Sequence, residues 1–175
     1  MDTLLIKHLK KFSSRAELEL YLDFVGGLFK ALDLANEDLR FHFNGTTGSG
    51  YILPLTINNR YIVTRTRNGQ TPHISTIHAG LDFIQDWEVT SRPSRWAFSQ
   101  KRHDLADCPP RMMGYPLEVF QEHQSLILEQ VKTIALRELQ ACKSTPMRRC
   151  HSPLAYGMAV DLDFREEMLC DLRWS

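Results

Sequence analysis

Three short runs, Tyr51–Ile57, Arg60–Arg67 and His73–Ala79, follow one another with only Asn58-Asn59 and a gap opening on Asn68-Gly69 between them. Connections that short leave no room for a crossover, so strands joined by them must pair antiparallel. Both asparagine pairs readily supply the positive φ that tight hairpin turns demand. The region therefore predicts a meander over 51–79. Pro54 removes one backbone donor from the first run, which points to an edge strand or a bulge. Arg40-Phe41-His42-Phe43 alternates like a further strand, and Gly45-Thr46-Thr47-Gly48-Ser49-Gly50 reads as a hairpin loop. Trp87-Glu88-Val89-Thr90 and Arg95-Trp96-Ala97-Phe98-Ser99 are two more strand candidates.

On both sides of this region the apolar spacing changes to three and four. Leu4–Phe12 forms a short basic helix in this reading. Ser14-Arg15-Ala16-Glu17 matches a capping box, in which hydroxyl and carboxylate each satisfy an orphan backbone N–H. Leu18, Tyr21, Leu22, Val25, Leu28, Phe29 and Leu32 then form one stripe, predicting a helix over 15–34. Gly26-Gly27 interrupts it at a cost of about 1 kcal/mol per glycine, which a close crossing by a neighbouring element would explain. Pro116 suits the first turn of a second helix over 116–141, with the stripe Leu117, Phe120, Ile127, Val131, Ile134, Ala135 and Leu139, and Gln124 out of pattern. The expected fold is α+β: an antiparallel sheet of four to five strands between 40 and 100, packed against helices 15–34 and 116–141.

Residues 1–142 read as a single domain and 143–175 as a C-terminal extension. The extension holds one strand candidate, Leu154–Val160, and a short charged helix near Phe164–Leu172. Its Leu154, Met158, Val160, Phe164, Leu169 and Trp174 predict that it docks on the domain.

With 175 residues, 43% of them apolar, the chain can bury a substantial core. Its runs fall short of the roughly 18 apolar residues of a membrane span. Lys7 breaks the N-terminal apolar stretch, so no secretory core is read there, and a cytoplasmic protein without a membrane partner is expected. Cys108, Cys142, Cys150 and Cys170 contain no CxxC pair, which points away from a zinc ribbon and toward buried or half-buried free thiols.

Several catalytic patterns fail on their own chemistry. The glycine-rich loop lacks the lysine and the following helix of a Walker loop. His73-Ile74-Ser75 and His123-Gln124-Ser125 would suit a two-histidine phosphoesterase only if both lay on strands, and the second falls in the 116–141 helix. Asp82, Asp86 and Glu88 lack the lysine of a (D/E)-x-K nuclease. No Gly-x-Ser-x-Gly elbow occurs. No metal, cofactor or catalytic set is therefore assigned.

Charge carries the positive signal. The 21 Lys and Arg balance the 21 Asp and Glu, which argues against a bulk polyanion binder. Yet residues 41–103 hold seven basic side chains against three acidic ones, while 104–140 hold three against six. On the 60–67 strand, Tyr61, Val63, Arg65 and Arg67 share one face. Arg92, Arg95, Lys101 and Arg102 follow, interleaved with Trp96, Phe98 and His103. Guanidinium forks bind phosphate or carboxylate bidentately and neighbouring aromatics stack on bases or side chains. The expectation is a non-enzymatic binding module that presents Arg60, Arg65, Arg67, His73, Arg92, Arg95, Trp96, Lys101 and Arg102 to an anionic partner. Nucleic acid comes first and an acidic protein surface second. The alternative is a phosphodiester-cleaving enzyme that uses histidines of the middle segment.

Overall fold

The computed structural model describes residues 3–44, 51–58, 60–68, 71–78, 111–142, 150–170, 172 and 174. Helices α1 (Thr3–Leu9) and α2 (Arg15–Ala31) precede strands β1 (Phe41–Phe43), β2 (Ile52–Ile57), β3 (Arg60–Asn68), β4 (Thr71–His78) and β5 (Arg111–Pro116). Helices α3 (Leu117–Ala141), α4 (Pro153–Val160) and α5 (Leu162–Leu169) complete the order. The strands form one antiparallel sheet in the order β1-β2-β3-β4-β5. The α+β architecture and the meander follow the expectation, and Asn58 takes the positive φ of 50° that its turn requires.

The fifth described strand, 111–116, lies in a stretch where the sequence offers no element before the helix. The strand candidates at 87–90 and 95–99 and the Gly45–Gly50 loop lie outside the described residues. Pro116 closes β5 and directly precedes α3.

Helix α2 starts on Ser14, whose hydroxyl accepts from the Glu17 N–H at 3.1 Å. It ends at Ala31, three residues earlier than its apolar stripe suggested. Leu34 N–H donates to the Phe29 carbonyl and Asp33 N–H to that of Lys30, with Asp33 at φ 52° between them. That is a Schellman stop, and buried Leu34 and Phe29 supply its apolar contact.

Helices α2 and α3 lie side by side over the sheet. Phe24 meets Phe120 edge-on at 4.8 Å, Phe120 meets Tyr115 of β5 at 6.3 Å, and the Tyr21 hydroxyl donates to the Leu53 carbonyl. The core is continuous from Leu5 and Leu9 of α1 through the sheet to Met158 and Leu169.

Pro54 marks a bulge, not an edge: β2 is an inner strand, and its register against β3 shifts on both sides of Leu55. Leu53 is driven to φ 49°. A bulge takes backbone groups off the ladder, and burial makes leaving them unpaired costly. Here the Leu53 N–H donates to His8 Nδ1, its carbonyl accepts from Tyr21 at 2.6 Å, and the Pro54 carbonyl accepts from the Asn44 N–H.

Two expectations for the C-terminal segment need correction. Residues 154–160 form helix α4, not a strand. Ser152 caps it by accepting from the Ala155 N–H at 3.2 Å, and Pro153 fills its first turn. The charged helix spans 162–169 and starts on Asp161, whose carboxylate accepts from the Phe164 N–H. The pair packs on α2: Tyr156 stacks near Phe29 at 4.9 Å and Arg165 pairs with Asp23 at 2.6 Å. Gly26 allows that approach, because a Cβ there would lie 2.0 Å from the Ala159 carbonyl oxygen.

Candidate functional site

Of the nine residues expected to meet an anion, the structure describes the side chains of Arg60, Arg65 and His73. The side chain of Arg67 and all of Arg92, Arg95, Trp96, Lys101 and Arg102 lie outside the described residues.

Arg65 is not on a surface. It is fully buried, its Nε donates to Glu17 Oε1 at 2.6 Å, its Nη2 donates to the Ser13 hydroxyl, and it lies over the Phe12 ring. The reason is local to α2. Glu17 sits at the third position of that helix, where its second oxygen accepts from the Ser13 N–H at 2.6 Å. The capping carboxylate is thus held over β3 and serves as the counter-ion of Arg65. Leaving either charge buried alone costs several kcal/mol, so the two are interdependent.

Arg60, at the start of β3, is 43% exposed in its side chain and pairs with Glu138 of α3 at 3.2 Å. Asn58 donates to the same carboxylate at 2.9 Å, so Glu138 clamps the β2–β3 turn. His73 is buried in β4 opposite Thr66. The expected open face of β3 is closed on both sides: Val63 and Arg65 are buried on one, Ile62 and Thr64 on the other. The described side chains therefore do not gather into a cationic surface, and Arg60 and Arg65 already have carboxylates.

The histidine motifs stay apart in kind, with His73 on a strand and His123 inside α3. Among the described residues no group of three His, Cys, Asp or Glu side chains converges to hold a metal. Cys142 and Cys150 are half-buried, whereas Cys170 is exposed; Cys108 lies outside the described residues. No helix among the described residues is long and apolar enough to cross a membrane.

Two features were not read from the sequence. An open groove of about 580 Å³ runs between α2 and the α4–α5 pair, with Phe29, Lys30, Asp33, Tyr156, Val160 and Leu162 in its lining. Val160 and Leu162 are 48% and 66% exposed. The second feature is a pair of buried phenols, Tyr21 and Tyr115, with the half-buried Tyr156. Burial pushes the Tyr21 hydroxyl well above the usual value near 10. It pushes Tyr115 the same way, and Tyr156 too, with help from Glu37.

Comparison with protein families, with curated proteins and with solved structures gives no match.

Proposed function

We propose that the chain is a non-enzymatic binding module for an anionic partner, nucleic acid ahead of an acidic protein surface, and that it works through Arg67 and the 91–103 segment. The observation that carries this reading is a charge separation. Two of the seven cations between 41 and 103 are neutralised internally, Arg65 by Glu17 and Arg60 by Glu138. The other five include Arg92, Arg95, Lys101 and Arg102, which occur within eleven residues that hold no carboxylate and do hold Trp96 and Phe98. Such a composition suits phosphate contact with stacking.

Gel shifts with single- and double-stranded DNA and RNA at two salt concentrations test the reading. Binding should weaken steeply with salt, and replacing Arg92, Arg95, Lys101 and Arg102 by Gln should flatten the log–log slope by about 3 to 4. Salt-insensitive or absent binding to every nucleic acid would remove the first-choice partner. Cleavage of the probes that is lost in His73→Ala would favour the enzymatic alternative.

A further inference from the structure

We propose that His151 is an acid-released latch that holds the start of the C-terminal helical pair against the open edge of the sheet. Strand β1 is an outer strand, and an outer strand presents unpaired backbone groups that a protein must cover. Residues 151 and 152 cover those of Phe43 here. The Phe43 N–H donates to His151 Nδ1 at 3.2 Å, and the Phe43 carbonyl accepts from the Ser152 N–H at 2.9 Å. An imidazole nitrogen stands in for the carbonyl that a neighbouring strand would offer.

That role dictates the protonation state. Nδ1 accepts, so the ring proton of the neutral form sits on Nε2, which is 2.8 Å from Asn36 Oδ1 and donates to it. The ring is edge-on to Phe41 at 5.2 Å. Tyr156 of α4 lies 6.4 Å away between rings; the segment that carries Asn36 also holds Glu37 and the Asp38–Arg40 pair, β1 holds His42, and Cys150 precedes His151 in the chain. A proton added at Nδ1 puts a second donor against the Phe43 N–H, and that bond cannot persist. The latched state therefore binds one proton fewer than the released state. By linkage, release rises by up to tenfold per pH unit below the ordinary imidazole value near 6.5. The movement passes directly to α4, because Ser152 is also its cap.

Amide hydrogen exchange on the full chain between pH 7.5 and 5, corrected for the intrinsic pH dependence of exchange, tests the latch. The Phe43 and Ser152 amides should lose protection by up to about tenfold per pH unit below 6.5 while those of Leu22 and Val131 hold theirs. In His151→Asn, whose amide oxygen can accept near the Nδ1 position and does not titrate in this range, Phe43 protection should be flat. Three results would overturn the proposal: Phe43 protected down to pH 5, Phe43 lost in step with Leu22 and Val131, or the same acid loss in His151→Asn. If that variant does not fold, the comparison of the four amides in the unaltered chain decides.

Discussion

Arg65 shows how one partner residue can invert the role that a sequence suggests for a side chain. On β3 it alternates with threonines like a solvent-facing cation, and nothing within ten residues names its counter-ion. Glu17 is legible as a capping residue, but its second task depends on where α2 crosses β3, which periodicity does not encode. The pair supports a stability prediction. Arg65→Met should destabilise by about 3–5 kcal/mol in urea unfolding, because Glu17 is left charged and buried. Adding Glu17→Gln should restore most of the loss, since glutamine still caps the helix; equal losses in single and double variants would refute the coupling. The buried phenols support a second prediction. Tyr21 and Tyr115 resist ionisation in the fold, so the folded state keeps protons that the unfolded chain releases above about pH 10. Their stabilisation is complete below that pH and declines as pH rises further. Spectrophotometric titration should show part of the phenolate signal of the five tyrosines appearing only together with unfolding.

At the level of elements, what the sequence reveals depends on how local the signal is. The β2–β3–β4 meander is readable because each of its turns spans only two residues, and the two main helices because their stripes repeat over several turns. Strand β5 was not readable: Met112-Met113-Gly114-Tyr115 between two prolines has neither alternation nor length, and only pairing with β4 makes it a strand. Helix α4 is ambiguous in sequence because Leu154–Val160 is a short apolar run, for which strand and helix look alike. Ser152-Pro153, a cap followed by a first-turn proline, was the signal that could have decided it. The Gly26-Gly27 pair marks the crossing point that its interruption of the stripe predicts, and the structure separates its two members. Gly26→Ala forces a methyl onto the Ala159 carbonyl and should cost about 1–3 kcal/mol. Gly27→Ala meets only the Leu128 side chain, at 3.6 Å, and should be neutral or stabilising by up to about 1 kcal/mol. Thermal melts of the two variants check the contrast; a reversed order would mean that α4 does not seat on Gly26.

Across the whole molecule, the candidate site was legible only as a charge imbalance, because pairing between distant segments decides which cations remain available. Glu138 lies 78 residues beyond Arg60, and no local rule links them. The same long reach governs the C-terminal segment, which is tied to α2 by Asp23–Arg165 and Arg15–Glu166. Truncation after Cys142 would strip Phe29 and Phe41 of Tyr156 and remove the buried Met158 and Leu169. At about 1.5–3 kcal/mol for each large apolar side chain, the melting temperature should fall on the order of 10 °C. An unchanged melt would show that residues 1–142 stand alone. The seal on Phe43 also sets an order of events during synthesis. Strand β1 leaves the ribosome more than a hundred residues before the histidine that closes its flank, so a nascent chain carries a raw strand border through all of that synthesis. Slow translation or stalling ahead of residue 151 should then favour self-association through that border, and His151 and Ser152 act on β1 as its chaperone.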